Sequence, residues 1–205
     1  MSVVLEKPKV TPEELLRLPK DRRYELVDGE LVEKPMSAIS GITGGELLGL
    51  LHHFVRKHNL GLVLLAETGY RCFADDPDKV RKPDISFIGR DKISAELWES
   101  GFIRIVPDLV VEVLSPSDVS YEVDRRVQDY LSAGVKLVWV VHPQSRSVHV
   151  YRPGGQGVIL SEQNELDGEQ VLPGFRLPVR EIFRPLEQLQ QLQQTGSGTT
   201  KGTPG

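Results

Sequence analysis

The spacing of apolar residues changes several times along the chain, and each change marks an element. Leu15 and Leu16 follow Thr11, Pro12, Glu13 and Glu14. A threonine cap, a proline in the first turn and two glutamates satisfy and complement a helix N-terminus, so a short helix to about Leu18 is predicted. Apolar and polar residues then alternate around Asp28-Gly29, a pair that favours a two-residue hairpin turn. Strands are predicted over 23–27 and 30–34. From Ser40 to His58 the period becomes helical through Leu47, Leu48, Leu50, Leu51, Phe54 and Val55, and Asn59 and Gly61 close the helix.

Strand-like runs follow. Leu62–Glu67 is one, and Gly69–Phe73 is either another or the same strand bent. Lys82-Pro83-Asp84 opens a further strand, with proline at its start where a ladder donor is dispensable. Residues 93–100 read as a short helical or irregular excursion. Asp108–Leu114 is continuously apolar except for Glu112, the pattern of a central strand. Residues 115–118 offer caps for a helix over 118–133, with Val119, Val123, Val127, Tyr130 and Leu131 inward and Gly134 as its stop. Strands are predicted over 136–142 and 148–152, and weaker ones over 157–160 and 169–172. The strand–helix–strand passage 108–142 is long enough for a right-handed parallel crossover. The fold class is therefore α/β with a mixed sheet flanked by helices. One domain is expected over 1–185, followed by a Gln-rich, then Gly/Thr-rich tail over 186–205 whose last ten or so residues should be disordered.

Composition narrows the function classes. With 205 residues, 39% of them hydrophobic and 26% charged, the chain can build one buried core. A formal charge of -4 argues against holding nucleic acid by bulk charge, while leaving room for a local basic groove. The single cysteine, Cys72, excludes an internal disulfide framework and any multi-cysteine zinc site. No apolar run reaches the length of a membrane span, and the N-terminal residues lack a secretory apolar region, so a soluble cytoplasmic protein is expected. His52 and His53 diverge by about 100° on their helix and chelate poorly. Cys72 has no evident histidine partner, and His142 reads as a strand-end residue. Arg22-Arg23, Arg56-Lys57 and Arg125-Arg126 read as solvated faces unless the fold gathers them.

Two acids stand in surroundings that do not suit them. Glu112 lies among Val110, Val111, Val113 and Leu114, where an unpaired carboxylate would be costly unless a cation compensates it. Asp84 heads another apolar strand and can aim at the same place. An aspartate and a glutamate on neighbouring strands make an oxygen-ligand set suited to magnesium, which needs only one or two carboxylates beside water and substrate phosphate. Each acid also has a structural reading, as a solvated strand end or a member of a core ion pair.

Pro83-Asp84 followed by Glu112 in an apolar strand resembles the Pro-Asp…(Asp/Glu)-X-Lys core of restriction-endonuclease-like nucleases. TPEEL (11–15), RYELVDGELV (23–32), ETGY (67–70), KPDISF (82–87), VEVLSPSD (111–118) and YLSAGV (130–135), in that order, are similar to the Uma family of restriction endonucleases of cyanobacteria and other bacteria. The resemblance implies a restriction-endonuclease-like mixed sheet and DNA as the partner, with a homodimer as the analogous assembly. It also implies Mg2+, or Mn2+ in its place, held by Asp84, Glu112 and the Val113 carbonyl. Glu25 matches an N-terminal acid of the family that would complete the catalytic set; from the residues alone it reads equally as an exposed hairpin acid. The sequence departs from the pattern at Leu114, where the core lysine normally stands. The family carries that lysine on the following helix, where this chain has Arg126. Arginine contacts phosphate as a fork but cannot serve as a general base, so a weakened or inactive member acting as a nucleic-acid or protein interaction module is the alternative.

Overall fold

Thr11 and Glu14 cap each other across the first turn of α1 (Pro12–Arg17), as the threonine and the glutamate three residues on require. The Asp28-Gly29 turn, with φ of 54° and 83°, joins β1 (Tyr24–Val27) to β2 (Glu30–Glu33) in an antiparallel hairpin. Ser37 and Ser40 form a second reciprocal cap at the start of α2 (Ala38–His58), and Asn59 ends that helix in the left-handed conformation.

Six strands then form one mixed sheet in the computed structural model, which describes residues 9–19, 22–98 and 101–196. They are β3 (Gly61–Leu65), β4 (Ile85–Gly89), β5 (Leu109–Val113), β6 (Leu137–His142), β7 (Ser147–Tyr151) and β8 (Gly157–Leu160), side by side in chain order. Only β5 and β6 pair in parallel, and α3 (Ser120–Ser132) makes the connection between them. A small pair, β9 (Glu165–Asp167) with β10 (Arg176–Pro178), leads into α4 (Val179–Gly196).

The sheet is covered on both faces. Leu47, Leu51 and Val55 of α2 and Ile182 and Phe183 of α4 pack with Val111, Val113, Trp139 and Val141 on one side. Val123, Val127 and Tyr130 of α3 pack with Val110, Val138 and Val140 on the other. Because side chains alternate along β5, Glu112 falls on the α3 face, within an otherwise apolar layer. No helix among the described residues is long and apolar enough to cross a membrane.

Four expectations need correction. Gly69–Phe73 is not a strand; Tyr70 alone bridges to Arg81 and Ile103, because the segment runs between two loops and has no continuous partner. Residues 169–172 form a turn closed by Leu172 N–H to Gly168 O, with the strands on either side of it, so Leu172 reaches the core from a turn. Val119 is 51% exposed and caps α3 without a side-chain bond, since Asp118 is engaged elsewhere. The Gln-rich stretch does not begin a structureless tail at 186: α4 continues to Gly196, anchored by Val179, Ile182, Phe183 and Leu186 and extended by strong helix formers. The disorder expected over the last ten or so residues falls chiefly on 197–205, outside the described residues.

Candidate functional site

The antiparallel register of β4 and β5 brings the two acids together. Ile85 faces Val111 at the end of the register, with Asp84 just before the one and Glu112 just after the other. Backbone bonds fix this end of the pair: Asp84 N–H donates to Val111 O at 3.1 Å, and Val113 N–H donates to Asp84 Oδ2 at 2.7 Å. Between the acids sits an ammonium from a different part of the chain. Lys34, one residue beyond β2, places Nζ 2.8 Å from Glu112 Oε2, 3.3 Å from Asp84 Oδ1 and 2.9 Å from the Lys82 carbonyl oxygen. Its side chain is 4% exposed and that of Glu112 is 1% exposed.

Other donors complete the cluster. Tyr130 of α3 donates its hydroxyl to Glu112 Oε1 at 2.7 Å, and Arg23 donates to Asp84 Oδ1 at 2.9 Å. Arg126 holds Nε 3.7 Å from Glu112 Oε2 and turns its terminal nitrogen to Asp118. Every oxygen of the two central carboxylates therefore has a protein donor. Two donors are left over: the buried Nε atoms of Arg23 and Arg126 have no hydrogen-bond partner.

The same residues set the protonation balance. Burial pushes the Glu112 carboxyl above the usual range, and the nearby Asp84 and Glu25 add to the rise against the pull of Lys34 and Arg126. Burial also opposes the charge of Asp84, but Lys34, Arg23 and the Val113 N–H outweigh it and hold that carboxyl below the usual range. For Lys34, burial disfavours the charge, yet Asp84, Glu112 and Glu25 prevail and raise the ammonium, so it stays a cation. Arg126 is likewise raised, by Glu112, Glu25 and Asp118 against burial.

Glu25 lies behind this cluster, with both oxygens engaged. Arg81 donates to its Oε2 and the Lys82 N–H to its Oε1, each at 2.7 Å. It therefore braces the segment leading into Pro83-Asp84, whose Lys82 carbonyl in turn receives Lys34. Arg81 also forks onto Asp129 of α3, which Lys79 bonds from the other side.

A cavity of about 400 Å³ opens beside Asp84, and its wall includes Arg23, Ser37, Ser40, Gly44 and Glu67. The small residues come from the first half of α2, where Gly44 approaches Val113. Arg126 is not on that wall. Cys72, pushed up to about 12 by burial, is an unreactive thiol.

Among the described residues no three His, Cys, Asp or Glu side chains gather to hold a metal ion. The donor chemistry here is two carboxylates and backbone carbonyls, all hard oxygens. Three of those oxygens already converge on one cation, the Lys34 ammonium, so the residues fit a small hard cation.

The profile of the Uma2 family, described as a putative restriction endonuclease, matches residues 12–180. This chain belongs to the Uma2 family. In fold it is similar to a solved putative nuclease belonging to DUF820 from Anabaena variabilis, with a TM-score of 0.72. The two are 24% identical over 85% of this chain and 98% of that one. No curated protein matches the chain. The mixed sheet and the nuclease-like architecture expected from the Uma-type motifs are thus found.

Within this Uma2 fold, Asp84, Glu112 and the Val113 backbone lie together, Arg126 stands against Glu112, and Glu25 sits one layer back. Sequence reasoning missed Lys34 and gave no site role to Arg23 or Tyr130. Arg23 sat in a basic pair that reads as a solvated face, and Tyr130 in a helix stripe that reads as core. Lys34 follows an alternating strand whose next outward position is polar anyway. No local signal marks it as buried.

Proposed function

We propose that the protein hydrolyses DNA phosphodiester bonds with a divalent metal, Mg2+ or Mn2+, bound at Asp84, Glu112 and the Val113 carbonyl. One observation carries this reading: two carboxylates from adjacent strands converge on a single buried cation at the edge of a cavity. The bound ion would supply charge neutralisation at the scissile phosphate and a lower pKa for an attacking water. The chain's own groups do the rest. Tyr130 fixes Glu112 Oε1, and Val113 N–H fixes Asp84 Oδ2. Arg23, on the cavity wall with a spare N–H, is placed to take a phosphate oxygen. Arg126 stays charged and holds Glu112, so it serves as a positioning residue and not as a base.

Plasmid cleavage with Mg2+ or Mn2+ tests the reading. The wild type should cut, and Asp84→Asn or Glu112→Gln should lose at least about a hundredfold in rate. Cutting that survives both substitutions would overturn the assignment. If two copies cut the two strands, sedimentation of the protein on DNA should show a dimer.

A second reading is a non-cleaving interaction module. It is favoured by Arg126 being taken up by Asp118 and by Leu114 standing where a lysine would serve. On that reading the wild type binds DNA with no metal requirement and does not cut, and Arg126→Lys restores cutting if that position alone is at fault.

A further inference from the structure

Lys34 is the group that the Asp84/Glu112 pair does not explain. A lysine is rarely buried without reason, because its charged head must be desolvated and its long stem ordered. Here the head is aimed at one point by oxygens from two segments: Glu112 on β5, and Asp84 with the Lys82 carbonyl in the stretch leading into β4. Those distances are ammonium distances, 2.8 to 3.3 Å, longer than the roughly 2.1 Å of a magnesium–oxygen bond.

We infer that Lys34 is an exchangeable counter-ion: its ammonium holds the place that the divalent metal takes, and the two cations exclude each other. The inference rests on the metal-binding reading of Asp84 and Glu112. An ion touching Glu112 Oε2 and Asp84 Oδ1 would sit against Nζ, where two positive charges in a buried site repel strongly. The metal therefore enters only as Lys34 withdraws. Pro35 and Met36, the two residues after Lys34, are both on the cavity wall, as is Asp84. A flexible four-carbon stem gives the ammonium a short path from the acids into that cavity. Withdrawn, it stands where the substrate phosphate enters, beside Arg23. The metal-free protein keeps its acids neutralised by its own lysine, and the metal-loaded protein gains a free cation facing the substrate.

The test is calorimetric titration of Mn2+ into the wild type, Lys34→Met and Lys34→Arg, without substrate. Methionine keeps the stem and removes the charge, so Lys34→Met should bind Mn2+ about tenfold tighter or more, and Lys34→Arg should not tighten it. Affinity in Lys34→Met equal to or weaker than the wild type overturns the exchange. Asp84→Asn separates this failure from a failure of the site. Wild-type Mn2+ binding that is unaffected by Asp84→Asn sinks the metal reading itself, whatever Lys34 does. Should Lys34→Met fail to fold, the wild type gives the answer by NMR. The buried ammonium should show a slowly exchanging resonance that loses protection when Mg2+ is added. A resonance unmoved by saturating Mg2+ rules the exchange out.

Discussion

Two clusters of buried charge sit back to back in this protein, and they are built differently. In one, Glu25, Arg81, Asp129 and Lys79 meet at 2.6 to 2.9 Å, with Arg81 forked onto Asp129 and both Glu25 oxygens taken. None of these residues lines the cavity beside Asp84. In the other, Asp84 and Glu112 share one lysine, an arginine stands off at 3.7 Å, and Arg23, on the wall of a cavity, has an Nε with no acceptor. The first cluster is saturated and the second is not. Saturated buried charge locks segments together; buried charge with spare donors at a cavity wall is poised to take something else.

Substitutions should separate the two. The largest effect expected is on activity: Glu112→Gln should abolish cleavage while changing unfolding free energy by only about 1 kcal/mol, since Lys34 keeps Asp84. A rate assay beside urea denaturation checks both halves, and a loss of stability matching the loss of activity would erase the distinction. Arg81→Met is the converse. It leaves Glu25 and Asp129 without their shared partner and should cost about 3–5 kcal/mol in urea unfolding. Any activity lost should follow the folded fraction.

Tyr130→Phe lies between them, because Tyr130 belongs to the α3 core and bonds Glu112. Removing the hydroxyl should cost about 1–2 kcal/mol and slow cleavage, a joint effect that neither cluster shows alone. The last effect is a change in pH dependence, and it concerns neither cluster. Burial and the stacked His149 depress His142 to about 4 from its ordinary 6.5. Its folded state resists protonation, so the stability it contributes is full above pH 6.5 and is lost as pH falls toward about 4. His142→Phe should flatten that slope by up to about 1.4 kcal/mol per pH unit. A slope that persists unchanged would mean that the acid clusters titrate in this window instead.

Much of this architecture was legible in the chain. The capping residue at Thr11, the Asp28-Gly29 turn and the helical stripe through Leu47, Leu51 and Val55 are local signals, and local signals specify elements. Asp84 and Glu112 were legible for a related reason: a charge inside an apolar strand contradicts its surroundings. Lys34 and Glu25 carried no such contradiction. Each sits in a polar-apolar alternation where a charged residue is ordinary, and only the packing of the hairpin over the start of β4 buries them. The misread stretches show the same limit. Residues 69–73 have strand composition but no partner to pair with, and residues 186–196 have the composition of a tail but continue a helix already anchored at Phe183.

The sequence by itself determined most elements up to β8, the mixed α/β class, and the two acids whose burial demands a cation. The tertiary structure decided which cation answers that demand. It brings Lys34 across from the hairpin, diverts Arg126 toward Asp118, and sets Glu25 to brace the backbone. The reason is one of range: period and propensity act over a few residues, whereas charge compensation acts through space and takes whichever partner the fold carries within about 3 Å.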